Sequence, residues 1–417
     1  EQALAIFKAT DNREGEAQSL HNIGSMFIQQ DQYLKALENY KLALAIRQKI
    51  RNKQGKAESL HSIGLAYQCL NKNSEALEFY RQALVIFKQI GDRWGEGNTL
   101  NNIGLIYTSL GNYFQALEAF QLALVIREEI KDRAGQGFTL NNIGQVYFRL
   151  GQYPKALAIY QQSLSISEEV KDLPTKGISI NNFGEIYSEI GQSLKALEFY
   201  QQALAIRRQI GDRSGESYTL VGIGEIYSDL GEHAEALKFY QQALAINQEI
   251  GDRNGEGNIL NHIGLVYFST GQYAKALETF QLSLEISKEI SDRQGEGALF
   301  NNIGDVYIQL GQYGQAAEFY RQALTILKEV GDRGGEGSTL TNIGSMYNYL
   351  GEYAKALESL QQALVIRREI GDVRGEGITL NNIGFAYIKL GQYSKALEFL
   401  QQALALHSKV KNRMEKS

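Results

Sequence analysis

The chain has 417 residues, with 42 Lys and Arg against 47 Asp and Glu and a net charge of −5. That balance gives no bulk attraction to nucleic acid or to anionic lipid, so neither is expected as a partner. One cysteine, Cys69, excludes an internal disulfide and a cysteine metal cluster and points to a reducing compartment, the cytoplasm. No apolar run approaches the roughly 20 residues of a membrane helix.

Residues 1–10 match the last part of a 40-residue unit, its second helix. Ten complete units then follow over residues 11–410 without insertion or deletion, beginning near Asn12, Asn52, Asp92, Asp132, Asp172, Asp212, Asp252, Asp292, Asp332 and Asp372. Residues 411–417 read as the start of a further, truncated unit. The 42 glycines fall on this lattice, which identifies a repeat array.

Each unit reads as two helices. In the unit beginning at Asp252 the first runs over about Arg253 to Thr270, with Leu260, Ile263, Val266 and Tyr267 at helical spacing. Asp252 is its N-cap, and Glu256 places negative charge near the positive end of the helix. Gly271 supplies the left-handed stop. The second helix runs over about Tyr273 to Ile290 and buries Ala276, Leu277, Phe280, Leu284 and Ile286. Pro154 and Pro174 fall in the first turn of a helix, where a missing N–H does no harm. A glycine stands in the middle of every first helix, from Gly24 to Gly384, and an alanine in every second helix, from Ala36 to Ala396. A mid-helix glycine costs roughly 1 kcal/mol against alanine, so close helix–helix approach must compensate. A hairpin with one apolar face buries it only by stacking on its neighbours.

These residues resemble the tetratricopeptide repeat. The pattern is carried by Ile263-Gly264, Tyr267, Gly271, Tyr273, Ala276 and Phe280, with Ser283 in the last place and Leu260 where the usual tryptophan stands. The 40-residue form, with its G-D-R-x-G-E and N-N-(L/I)-(G/A) stretches, is similar to the repeats of Pins/LGN scaffolds and kinesin light chains. It is also similar to arrays in bacterial, notably cyanobacterial, signalling proteins. The resemblance implies an all-α fold, a right-handed α-solenoid superhelix of helix-turn-helix repeats, with first helices on the concave wall and second helices on the convex one. It implies a protein-protein interaction scaffold that takes an extended or partly helical segment in its groove. The alternative it leaves open is a ligand-sensing regulatory arm of a larger bacterial signalling protein with a fused effector domain.

The free arc of the first helix carries asparagine at one repeat position: Asn22, Asn102, Asn142, Asn182, Asn302, Asn342 and Asn382, with Ser62, Gly222 and His262 in the gaps. An amide offers donor and acceptor together. With packed helices about 8–10 Å apart and an extended chain rising about 3.3 Å per residue, such a ladder meets a bound chain about every third residue. The resemblance implies the same role; the other open reading is that these amides bridge neighbouring first helices. Glu185, Glu189, Glu225 and Asp229 add acid to this arc, and Phe138, Ile178 and Tyr218 add apolar surface, flanked by Phe148 and Phe268. A partner segment with Lys or Arg beside apolar anchors fits that pattern.

No catalytic constellation, metal site or cofactor is expected. His21 and His61 share a repeat position but lack carboxylate company, and Cys69 has no activating context. The G-D-R-x-G-E-G stretches follow no strand, so they read as turns joining helices and not as phosphate loops. The unit at Asp172 reads KDLPTKG there, a different helix start. Both ends are expected to be cut within the array, because Ala3, Leu4, Ile6 and Phe7 lie on a helix without its partner and Leu400, Leu404 and Leu406 lack a following unit. Terminal repeats normally carry a polar outer face, so end-to-end self-association is expected.

Overall fold

A computed structural model describes residues 2–30 and 32–414. Among the described residues every regular element is a helix, and after an initial helix Gln2–Ala9 the helices come as hairpins. The first two such helices, Arg13–Gln29 and Tyr33–Lys49, set the pattern of a leading and a trailing helix. The chain divides into two compact units, Glu1–Ile186 and Tyr187–Ser417. Each is an α-solenoid in which a trailing helix packs on its own leading helix and on the next.

The leading helices start alike because their caps are alike. Asp92 accepts the Gly95 N–H at 2.9 Å, and Asp292 accepts that of Gly295 at 3.0 Å. The variant start at Asp172 keeps this cap, toward Thr175 N–H at 3.2 Å, with Pro174 in the first turn. The glutamate of the motif does more than complement the helix dipole. Glu96 is buried and pairs with Arg93 at 2.6 Å, and the same guanidinium also bonds Glu129 at the end of the trailing helix Tyr113–Glu129. Arg293 repeats this in the second unit, to Glu296 at 2.7 Å and Glu329 at 3.0 Å. The motif is thus a clamp that ties the two ends of a hairpin together, with Glu129 and then Glu96 holding the Arg93 guanidinium above its usual range.

Hairpin turns use the left-handed region, as at Gly111 (φ +73°) and Gly271 (φ +73°). Where glycine is missing, Asn71 (φ 56°) adopts the same conformation in a hairpin turn, and Lys131 (φ 60°) and Ser291 (φ 60°) adopt it between hairpins, so the lattice imposes it even on residues that resist it. In most hairpins the mid-helix glycine lies flat under a ring, and at Gly344 and Gly384 under Leu360 and Leu400 instead. A Cβ at Gly104 would stand 2.5 Å from Phe120, and one at Gly304 2.6 Å from Tyr320. The contact buries those rings completely and offsets the poor helix propensity of glycine. Toward the ends, Ile6 and Leu404 are exposed, while Phe7 lies over Gly15. The last helix, Tyr393–Met414, runs through residues 411–414, where a further unit would begin with a turn, and residues 415–417 lie outside the described residues.

Candidate functional site

The asparagine series occupies the leading helices, half in contact with the preceding repeat. In the first unit Asn142 Nδ2 donates to Asn101 Oδ1 at 3.0 Å, and Asn102 Nδ2 donates to the Tyr80 hydroxyl at 3.3 Å and lies 3.4 Å from His61 Nε2. Asn22 is exposed and accepts from Gln18 of its own helix at 2.9 Å. Asn182 is only 8% exposed. In the second unit Asn302 donates to Asn261 at 2.8 Å, Asn342 to Asp305 at 3.0 Å and Asn301 at 3.4 Å, and Asn382 to Ser345 at 3.0 Å. These Nδ2 groups bridge successive repeats. The Oδ1 atoms of Asn102, Asn142, Asn302, Asn342 and Asn382 accept no protein hydrogen bond among the described residues.

For Asn142, Asn302 and Asn342 a receiving residue of the bridge is the first asparagine of the preceding repeat's leading helix, Asn101, Asn261 and Asn301. Asn101 and Asn141 are 2% and 3% exposed. Asn101 takes the bridge from Asn142, and Asn141 accepts from Ser179 at 3.0 Å. Sequence reasoning singled out only the second asparagine of a doublet, and the doublet itself was the available signal that two amides serve one junction.

Trailing-helix tyrosines reach through to the same wall. Tyr40 donates to Ser25 at 3.2 Å, Tyr160 to Gln145 at 3.1 Å and Tyr320 to Asp305 at 2.5 Å. Burial raises the Asp305 carboxyl to about 6, against the opposing effect of the Tyr320 hydrogen bond.

Of the predicted acids, Glu185 is half-buried and accepts from Asn181 at 2.9 Å, and Glu189 is exposed. Glu225 and Asp229 are exposed one turn apart on the helix Arg213–Asp229. Glu225 Oε1 lies 3.6 Å from His262 Nε2, and the His262 ring stacks on Tyr240 at 5.4 Å. Burial, then Glu225 and Asp229, push the Tyr240 hydroxyl well above its ordinary value. Tyr218 is 59% exposed beside Glu225 in a cleft of about 320 Å³, with the Arg207 guanidinium 5.9 Å from its ring. Ile178 is half-buried.

A larger cleft, about 670 Å³, opens on the leading helices of the first unit. Trp94 and Phe138 line it at 65% and 37% exposure, with Phe87 and Arg127 contributed from trailing helices. Only Phe138 was singled out from sequence. Trp94 was missed, although it is the sole tryptophan of the chain, and Arg127 was missed because nothing local marks a trailing-helix residue as groove-facing. His61 Nδ1 faces Thr99 Oγ1 at 3.0 Å, and Thr99 in turn donates to Gly95 O at 2.7 Å, which places the His61 proton on Nδ1. Burial, with the neighbouring His21 second, lowers His61 to about 4. Burial, with Arg47 second, lowers His21 to about 4 as well, so both rings are neutral at pH 7.

Among the described residues no group of three or more histidine, cysteine, aspartate or glutamate side chains could hold a metal ion, and no helix is long and apolar enough to cross a membrane.

A sequence profile for the tetratricopeptide repeat matches residues 1–49, 15–89, 95–169, 177–249, 255–329 and 336–409. No curated protein matches the chain. Among solved structures, a Rap protein complexed with Competence and Sporulation Factor is similar at 16% identity and TM-score 0.58, over 86% of this chain and 99% of that one. The apo quorum sensor NprR of B. thuringiensis is similar at 17% identity and TM-score 0.58, over 75% and 88%. PH0952 of Pyrococcus horikoshii, a signal transduction ATPase with numerous domains and a tetratricopeptide repeat sensor, is similar at 16% identity and TM-score 0.59, over 86% of this chain and 54% of that one. At these identities the likeness is one of fold.

Proposed function

Because the chain belongs to the tetratricopeptide repeat family, we propose that it is a protein-interaction scaffold whose leading helices take an extended or partly helical polypeptide segment. One observation carries this reading: five of the ladder asparagines, Asn102, Asn142, Asn302, Asn342 and Asn382, bridge repeats through Nδ2 and keep Oδ1 without a protein donor among the described residues, so a bound backbone N–H has acceptors waiting. The bridges hold the amides in place before binding, which lowers the ordering cost of recognition. Asn22, Asn102, Asn142, Asn182, Asn302, Asn342 and Asn382 form the proposed ladder, with Asn182 the most enclosed. Specificity for Lys or Arg beside apolar residues comes from Glu185, Glu189, Glu225 and Asp229 with Phe138, Ile178 and Tyr218. Complementary charge of this kind acts mainly on association rate and selectivity.

Display selection of segments on the full chain tests the proposal. Selected segments are expected to be rich in Lys or Arg next to apolar residues. A Glu225→Gln, Asp229→Asn chain then binds them more weakly and with a flatter salt dependence. Unchanged affinity and unchanged salt slope sink the acidic determinant. For the ladder, Asn142→Asp keeps the acceptor and loses the bridge, whereas Asn142→Ala loses both; equal affinity of the two for a selected segment removes the role of Oδ1.

A second reading, a sensor arm of a larger signalling protein, is favoured by PH0952, of which this chain matches 54% and which carries a tetratricopeptide repeat sensor. We also propose end-to-end association through the helices bearing Ile6 and Leu404, both exposed; a light-scattering mass that does not change with concentration ends that idea.

A further inference from the structure

One position of the trailing helix carries a buried arginine in four repeats: Arg47, Arg127, Arg207 and Arg367. The guanidinium meets a recurrent set of partners. Arg127 donates to Asp132, the cap of the next leading helix, at 3.2 Å, and to Asn98 at 2.8 Å. Arg367 repeats this with Asp372 at 2.5 Å and Ser338 at 2.7 Å. Arg47, which faces an asparagine cap, donates instead to the Gly55 carbonyl at 3.0 Å and to Gln18 at 2.6 Å. Charge-assisted bonds of this kind offset the burial of a guanidinium.

In the repeat that begins at Asp212 this position is Asn247, and the partners of the arginine remain without it. Asp252, Gly255 and Tyr218 stand where Asp132, Gly135 and Asn98 stand around Arg127. With Asn247 they line the cleft of about 320 Å³ on the leading helices Arg213–Asp229 and Arg253–Ser269. Asn247 is 4% exposed, yet its carboxamide makes no hydrogen bond among the described residues. Asp252 accepts the Gly255 N–H on Oδ1 at 2.9 Å and has no ion pair among the described residues. Its Oδ2 is the atom that takes the arginine in Asp132 and Asp372. A buried amide without a partner is costly, so a ligand group that reaches it gains more than one meeting a solvated amide. Glu225 lines the same cleft. Burial holds the neighbouring His262 below its ordinary value, so at pH 7 that ring is neutral and leaves the carboxylate charge in place. Ser167 and Ser287 also shorten the arginine position, but Gln145 and Leu265 stand there in the place of Glu225.

We infer that this cleft takes the guanidinium of an arginine from the bound segment, in the place that the chain's own arginine fills in four other repeats, paired with Asp252 Oδ2, donating to Asn247 Oδ1 and held beside Glu225. The planar fork of a guanidinium serves two fixed acceptors at once, which the point charge of an ammonium does not. The inference rests on the reading of the leading helices as a polypeptide-binding wall. It narrows the preference for Lys or Arg to arginine at one address, through two residues, Asn247 and Asp252, that this preference did not include.

The full chain is titrated in a calorimeter with acetyl-Ala-Arg-Ala-amide and with the same peptide carrying lysine or the uncharged isostere citrulline at the centre. The Arg peptide is expected to bind with a dissociation constant at or below about 1 mM, at least about tenfold tighter than the other two. Asn247→Arg gives the cleft an internal guanidinium and is expected to abolish that binding, with a melting temperature at or above the parent's. Asp252→Asn removes the charge and keeps the cap, as Asn52 does toward the Gly55 N–H at 2.8 Å. It is expected to weaken the Arg peptide by about tenfold, and it decides the matter if Asn247→Arg melts below the parent. No saturable response to the Arg peptide, equal affinity for the lysine or citrulline peptide, or undiminished binding to the Asp252→Asn chain overturns the subsite. If display-selected segments bind while the Arg peptide fails, the subsite falls and the groove reading stands. If the Arg peptide binds while no segment is selected, the subsite stands and the groove reading falls.

Discussion

The two units place different chemistry on their leading helices, mostly at different positions of the repeat. The first offers Trp94, Phe138 and two neutral histidines in one cleft. The second offers Glu225, Asp229 and Asp305, with Tyr218 beside Glu225. Beneath both lies one lattice: an Asp cap, an arginine clamp, a left-handed turn and a glycine under a ring. The difference teaches that stability and selectivity are written on separate positions of the repeat. The lattice positions admit little change because each packs against its own copies. The wall positions vary, and under the proposed function a bound partner completes them.

If the lattice is common property, breaking it must cost the same in either unit. Gly104→Val and Gly304→Val drive a branched side chain into Phe120 and Tyr320 respectively, and each is expected to destabilise its unit by about 3 kcal/mol. Denaturant midpoints of the two variants check this; tolerance at one site and not the other would mean the units are built differently.

Acid should separate the units where valine does not. His61 takes its proton at about 4 in the folded chain and near the ordinary 6.5 when unfolded. Between those values the unfolded chain binds more protons, so this term loses stability as pH falls from about 6.5 to about 4. Asp305 runs the other way. Its folded carboxyl takes a proton at about 6 and its unfolded one near 3.8, so acidification across that window adds stability. Each contribution is of order 1–3 kcal/mol. Thermal melts against pH should show His61→Gln flattening the acid loss. Asp305→Asn should melt above the parent at pH 8, with the gap closed near pH 4, since the amide oxygen still accepts from Tyr320 and Asn342. A gap that persists or reverses at pH 4 would remove Asp305 as the source.

The smallest expected effect sharpens the shared side of the comparison. Asp92→Ala and Asp292→Ala each lose one cap bond to a glycine N–H and should cost about 1 kcal/mol apiece, read as matching shifts in melting temperature.

Much of this was legible in the residues. Asp252 as cap, Gly271 as stop and Gly264 against Phe280 are local or one-hairpin relations, and a repeated pattern states them ten times over. The wall was less legible. A helical wheel ranks residues about one helix, each step turning by about 100°, and it cannot say how far the preceding repeat covers the arc. Asn101 and Asn102 stand one step of about 100° apart on that wheel, and one is enclosed at the junction while the other is half open.

The amino-acid sequence alone determined the all-helical hairpin, its period, its caps and its close-packed glycines, because those depend on contacts within about forty residues that recur in every copy. Tertiary structure decided which polar side chains join one repeat to the next and which remain open to a partner. It also brought Arg127 and Trp94, from the two helices of one repeat, to one cleft with Phe138 of the next. Those outcomes depend on the rotation of each hairpin against its neighbour, and that rotation is set by the packing of whole helices, not by the pattern of any single one.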